Sequence, residues 1–235
     1  MLEIEDRSKA DISKMGNSLK GLIYIATVEG YGPLLLAEWI SGFRKLHPDV
    51  NFDIWSGTTD EIVHHTHSGL CDIAIVMEPF SDPDIIKTHI HSEPWAAIIP
   101  NTDPLASKPG KTIKPEDIMD KNLIMPSRAS RNEEFRKWMP DPQKPLNVAC
   151  KVAHMINVRE LAKAGVGIVI FPHAEGILTD DEYITVKNID HPNAIASYLL
   201  IKSRKRRISP PARHSGSLPL VQRINQNKKR SRVLL

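Results

Sequence analysis

The sequence predicts an α/β fold of two lobes, each a sheet flanked by helices, with a ligand cleft between them. Three observations predict it. Residues 22–76 alternate strand, helix, strand, helix, strand, and residues 122–172 repeat the theme. A late apolar run, AIASYLLI (194–201), then has the composition of a central strand that returns to the first lobe.

Residues 1–20 read as a polar, helical lead-in ending at Gly16-Asn17. LIYIAT (22–27) is short and nearly continuously apolar, the mark of a strand buried on both faces. Gly30-Tyr31-Gly32 turns the chain, and Pro33 suits the first helical position, where its missing N–H is no loss. Leu35, Leu36, Trp39, Ile40, Phe43 and Leu46 then recur at helical spacing. Their apolar face is broad enough to cover a sheet and to meet a partner. His47-Pro48-Asp49 breaks that helix, and VNFDIW (50–55) alternates as a strand does. Ser56-Gly57 leads into a helix over TTDEIVHHTH, closed by Gly69, and CDIAIV (71–76) is the third strand. This β-α-β-α-β order is the unit of an open parallel sheet with right-handed crossovers.

Strands are expected near 85–90 and 95–99, followed by the Pro- and Lys-rich NTDPLASKPGKTIKPEDI, which marks the passage into the second lobe. There NLIM (122–125) is a strand, SRNEEFRKWM (130–139) a helix and NVACKV (147–152) a strand. NVRELAKAG (157–165) is a helix and VGIVIFP (166–172) a strand. The expected division is 1–19 as a lead-in, 20–98 with 194–213 as lobe I, 99–193 as lobe II, and 214–235 as a basic tail.

Composition bounds the function. With 235 residues, 41% hydrophobic and 25% charged, the chain is an ordinary globular protein by content. Its net charge of +3 hides an asymmetry: eleven Lys/Arg and no Asp/Glu lie from Lys202 onward, leaving a body with 20 basic and 28 acidic residues. An acidic body does not suit a nucleic-acid surface. No run of 18 apolar residues occurs, so no membrane association is expected, and the polar N-terminus argues for the cytoplasm. Cys71 and Cys150 read as reduced, buried small hydrophobes in expected different lobes. No Gly-x-Ser-x-Gly, His-Glu-x-x-His or P-loop pattern occurs, so neither enzymatic activity nor a cofactor is expected. His64, His65 and His67 cluster on one helix, but a metal site needs three or four converging ligands, and an exposed helix face is the plainer reading.

Several stretches in order carry a resemblance. These are LKGLIYIATVEGYGPLLLAEWISGFRKLHPDVNFDI, SGTTDEIVHHTHSGLCDIAIV, SEPWAAIIPNTDPLA, KPEDIMDKNLIM, INVRELAKAGVGIVIFP and RRISPPAR. Over about residues 19–213 the chain resembles the effector-binding domain of LysR-type transcriptional regulators, whose two Rossmann-like lobes form a periplasmic-binding-protein-like fold. The resemblance implies an effector-sensing, DNA-binding regulator whose winged helix-turn-helix is absent here, with residues 1–18 as the end of its linker helix and the chain as a fragment. It implies a homodimer or homotetramer, paired through the helix 33–46 against the partner's 157–165 region, with Leu36, Trp39, Ile40 and Phe43 in the interface. After RRISPPAR the chain departs from the family: Gly216 and Pro219 fall where a helix is usual, so the tail is either disordered or altered. The alternative function on the same fold is a solute-binding protein of a transport system.

Ligands of open α/β sheets bind beyond the carboxyl ends of strands, at helix N-termini. Thr58-Thr59-Asp60-Glu61, Ser130-Arg131-Asn132-Glu133 and Asn157-Val158-Arg159-Glu160 have the spacing of capping boxes, and capping alone explains each pattern taken singly. The resemblance implies a small, carboxylate-bearing metabolite between the lobes. Its expected contacts are Thr27, Glu29, Thr58, Thr59, Glu78, Ser127, Arg128 and Ser130. Glu29 and Glu78 repel a simple anion if both line the cleft, so either they point outward or the ligand also carries a cationic or donor group.

Overall fold

The computed structural model describes residues 19–174, 177–206 and 209–212. The expected lead-in helix and basic tail lie outside them. The described residues divide into two compact units, the boundaries falling between His91 and Ser92 and between Ser197 and Tyr198: the first unit takes in the described residues before and after these boundaries, the second those between them.

The first unit is built on β1 (Gly21–Thr27), α1 (Gly32–Leu46), β2 (Val50–Ser56), α2 (Thr59–Ser68) and β3 (Ile73–Met77). β1 runs parallel to β2 on one side and β3 on the other. β3 is buried along its whole length and β1 along most of its own, as their unbroken apolar runs require. β2 is the edge strand, and of its residues only Val50 is buried and Phe52 half-buried. α2 ends where the sequence placed its stop: Gly69 takes the left-handed conformation (φ 76°) and its N–H donates to His65 O and Thr66 O. α1 buries Leu35 and Leu36 and carries Arg44 and Lys45 in its last turn, where cations suit the helix dipole.

Two long strands, β4 (Ile85–Pro100) and β10 (Ile195–Ser203), each span the boundary between units. In the first unit β10 runs antiparallel to β3, with Tyr198 opposite Met77 and Ile201 opposite Ala74. β4 is one strand rather than the two expected. His91-Ser92-Glu93-Pro94 reads as a break, yet Pro94 uses only its carbonyl, accepting from the His173 N–H at 2.9 Å, so its missing donor is not needed.

The second unit adds β5 (Thr112–Ile113), α3 (Pro115–Ile118), β6 (Leu123–Pro126), α4 (Ala129–Arg136), β7 (Val148–Val152), α5 (Ile156–Lys163), β8 (Ile168–Pro172) and β9 (Ile184–Ile189). β7, β6 and β8 run parallel, β8 and β9 pair antiparallel to β4, and β5 pairs with β9. Ile98, Ile124, Val158, Val169 and Ile184 are at the centre of its core. β5, α3 and β9 were not expected from the sequence. In β9, Lys187 is buried where an apolar residue would complete the pattern; its ammonium donates to Lys108 O and Gly110 O.

Candidate functional site

The parallel strands of the first unit end together. Thr27, last in β1, lies opposite Ser56 of β2 and Ile75 of β3. The Val28 N–H donates to Ile75 O at 3.0 Å, and the Gly57 N–H donates to Thr27 O at 3.3 Å. At this carboxyl edge the chain turns into α2.

Thr58 caps α2 in the reciprocal arrangement its spacing predicts. The Glu61 N–H donates to Thr58 Oγ1 at 3.4 Å, while Glu61 Oε2 accepts from both the Thr58 N–H and hydroxyl at 2.8 Å. Thr59 is 4% exposed and does different work. Its hydroxyl donates to Met77 O at 3.1 Å and its oxygen accepts from the Met77 N–H at 3.3 Å, tying α2 to the end of β3. The Thr27 hydroxyl, also buried, donates to Val28 O at 3.0 Å. It packs against Gly32, where a Cβ would come within 2.4 Å of Thr27 Oγ1.

All three threonine hydroxyls therefore have internal acceptors. What this edge offers an anion is backbone: first-turn N–H groups that a helix leaves without an intrahelical partner, at the positive end of its dipole. Glu29 is half-buried and Glu78 exposed close to the same edge.

In the second unit Ser127 follows β6; its N–H donates to Val152 O at 2.7 Å and its side chain is exposed. Arg128 is half-buried and holds the N-cap position of α4, its carbonyl accepting from the N–H groups of Arg131 and Asn132 at 3.1 and 3.4 Å. The helix thus starts earlier than the Ser130-to-Glu133 spacing implies. Ser130 falls inside the first turn, forms no capping box, and keeps a buried Oγ without a hydrogen-bond partner. Asn157 is likewise inside α5, whose N-cap is Met155.

Two residues here escaped the sequence reading. Arg131 is 5% exposed, and its guanidinium lies 5.5 Å from the centroid of the Trp95 ring. It also donates to Glu134 Oε2 at 3.2 Å. Trp95 on β4 is 0% exposed, meets Trp138 edge-on at 5.3 Å, and has a buried Nε1 with no hydrogen-bond partner. A buried donor without a partner costs about 1–3 kcal/mol. The only sequence signals were an aromatic in an otherwise aliphatic strand and an arginine in a helix's first turn.

Of the interface residues expected on α1, Leu36 is 4% exposed and lines an apolar cavity with Ile25, Ile73 and Leu200, so it belongs to the core. Trp39, Ile40 and Phe43 are half-buried, and Trp39 packs against Phe43 and Phe52 at 5.9 and 5.6 Å. The three clustered histidines diverge. His64 is exposed, His65 stacks on Trp55 at 3.9 Å, and His67 Nε2 lies 2.6 Å from Asp82. That hydrogen bond from His67 holds the Asp82 carboxyl below its ordinary range. Among the described residues no group of three or more His, Cys, Asp or Glu could hold a metal ion. Cys71 and Cys150 are free thiols, one in each unit.

The family model for the LysR substrate binding domain matches residues 16–215. The HTH-type transcriptional regulator YfeR of Shigella flexneri is 21% identical over 203 residues, 86% of this chain and 65% of that protein. The HTH-type transcriptional regulator CysL of Bacillus subtilis is 22% identical over 135 residues, 57% of this chain and 44% of that protein. The chain therefore spans about half to two thirds of the length of these relatives, and both are regulators rather than transport proteins. The effector-binding domain of QuiR in complex with shikimate superposes with a TM-score of 0.77 at 19% identity, covering 89% of this chain and 99% of that one. The two-unit α/β architecture, the site edge at α2 and a family match over most of the sequence agree: the chain belongs to the LysR substrate binding domain family.

Proposed function

We propose that this chain is the effector-sensing part of a transcription regulator. It binds a small, carboxylate-bearing metabolite and through it controls DNA binding by a helix-turn-helix segment elsewhere in the full protein, and it carries out no catalysis. The observation that carries the ligand reading is the convergence of the β1, β2 and β3 carboxyl ends on the N-terminus of α2. Such an edge presents N–H groups and the positive end of a helix dipole to an anion. Thr27, Thr58 and Thr59 shape this edge while their hydroxyl protons stay in the protein, so the ligand's contact there is with backbone N–H groups of the first turn. Glu29 and Glu78 border it, and a ligand that also carries a hydroxyl or amine donor suits them. Ser127, Arg128 and Ser130 supply the second unit's contacts, Arg128 giving the charge-assisted bond.

A regulator of this kind acts in the cytoplasm. No helix among the described residues is long and apolar enough to cross a membrane. Calorimetric titration with shikimate and a panel of small carboxylates tests the reading. A saturable one-to-one complex that shifts the Thr59 and Asp60 amide resonances is expected; binding that leaves those amides unmoved removes the proposed edge.

The active assembly is a homodimer, or a pair of such dimers, using the face of α1 that carries Trp39, Ile40 and Phe43 against the α5 region of a second copy. Ile156 at the start of α5 is 78% exposed, an apolar side chain suited to cover. Buried aromatics dominate interface energies, so Trp39→Asp and Ile40→Asp are expected to give folded monomers by light scattering and circular dichroism. A folded Ile40→Asp dimer would exclude this face.

A further inference from the structure

We infer that the amino edge of the first unit is a docking surface for the phosphate backbone of duplex DNA. The choice of DNA rests on the regulator reading above. This edge lies at the opposite ends of β1, β2 and β3 from the effector edge, where those strands begin and the antiparallel β10 ends. The body as a whole is acidic, yet exposed cations gather here: Lys20, Arg44, Lys45, Arg204, Lys205 and Arg206.

The topology brings them together. Lys20 stands directly before β1, and Arg44 and Lys45 occupy the last turn of α1, just ahead of β2. β1 and β2 start in register, Gly21 opposite Val50, so these three cations share one end of the sheet. The other three come from the return segment that follows β10. The Arg204 N–H donates to Asp84 O at 2.8 Å. The Arg206 guanidinium lies against Gly69 at the end of α2, 2.7 Å from where a Cβ would stand. Ser209 donates its N–H and its hydroxyl to Asp72, just before β3. Pro211 packs on Gly21, 3.4 Å from the position of a Cβ there. The segment therefore passes along the strand beginnings from β10 back to β1.

The acids of this edge are already engaged. Asp49 pairs with Lys20 at 3.3 Å, Asp84 pairs with Lys205 at 2.6 Å, and Asp72 is buried on Ser209. Arg44, Lys45, Arg204 and Arg206 make no ion pair among the described residues. α1 and α2 both end here, and each helix end carries about half a negative charge. Four cations outweigh that, so the edge keeps a positive excess. Exposed Arg and Lys side chains on such an edge suit duplex phosphates, which are contacted for affinity and position rather than for sequence. From Lys202 onward the sequence adds eleven Lys/Arg and no Asp/Glu, so the same sign continues along the chain.

The test uses the whole chain and a short fluorescein-labelled duplex of random sequence, read by anisotropy with no effector present. Four phosphate contacts predict an affinity that falls roughly 100-fold between about 50 and 200 mM salt. Arg44→Gln with Lys45→Gln should lower the slope of log affinity against log salt by about 2, and Arg204→Gln by about 1, whatever the duplex sequence. Each variant changes an exposed side chain, and circular dichroism checks its fold. A duplex left unbound at about 50 mM salt overturns the surface. A slope that these variants leave unchanged also overturns it; a fall seen only with Lys228→Gln, Lys229→Gln and Arg230→Gln assigns the contact to the basic run alone. Binding to phosphatidylserine vesicles but not to the duplex overturns DNA as the partner. Because no effector enters the assay, its failure leaves the effector reading intact, and a failed effector titration leaves this surface standing.

Discussion

Replacing Thr59 with valine keeps the volume of a nearly buried side chain and deletes its hydroxyl. Two hydrogen bonds go with it, the donation to Met77 O at 3.1 Å and the acceptance from the Met77 N–H at 3.3 Å. Both backbone groups belong to a strand buried along its length, so water does not replace the lost partner. The cost is about 2 kcal/mol, from two modest hydrogen bonds or one unsatisfied group. Thr58→Val removes a cap at a more exposed position and costs about 1 kcal/mol. For a chain of this size the first change lowers the melting temperature by roughly 4–8 °C and the second by half that. Because two units can unfold separately, hydrogen exchange at the Ile75 and Met77 amides localises the loss to the first unit. A Thr59→Val protein that melts with the wild type and keeps its Met77 protection would refute the view that this threonine ties α2 to β3.

Gly57→Ala puts a Cβ within 2.3 Å of Trp55 Cη2, so the indole must leave its stack on His65; fluorescence should report a more exposed tryptophan, with about 1–3 kcal/mol of destabilisation. Asp72, buried, accepts from the Tyr24 N–H at 3.0 Å and from the N–H and hydroxyl of Ser209 at 2.8 and 3.0 Å. Asp72→Asn should cost more than about 2 kcal/mol and speed proteolysis after Ser203, since it loosens the clasp on the chain's return segment. Asp181 is held far below the usual carboxylate range, first by its hydrogen bond from Arg159, then by the N–H groups of Tyr183 and Ile184 and the nearby Lys163. A depressed carboxylate contributes stability that is fully present above about pH 4 and lost as pH falls toward its lowered value. The Tyr183 amide should therefore titrate well below the inflection of an ordinary aspartate, and an inflection near pH ~3.9 would contradict this.

Local signals made most of the fold legible. α2 could be bounded at both ends because its cap residues act within four positions: Thr58 with Glu61 at the start, Gly69 with His65 at the end. Continuous apolar runs exposed β1, β3 and β8 for the same reason. β9 was hidden because its buried Lys187 is stabilised by carbonyls nearly eighty positions away in sequence, a partner no window can see. The site divides along the same line. The Thr58–Glu61 spacing located the cap of α2, whereas the tie of the Thr59 hydroxyl to β3 depends on a Met77 oxygen placed by the fold. Leu36 looked like its neighbours on the apolar face of α1, and only packing against the sheet assigns it to the core. The burial of Arg131 over the Trp95 ring was invisible as well, because such a contact is a tertiary fact.

Native mass spectrometry of the freshly purified chain, compared with its denatured mass, asks whether it holds an effector. One equivalent of a small compound bearing a carboxylate is expected, released on denaturation and rebinding on return to native conditions, with the Thr59 amide shifting as it does. A chain that stays bare in the presence of shikimate and a broad panel of small carboxylates, or that carries only a compound with no acidic group, would contradict it.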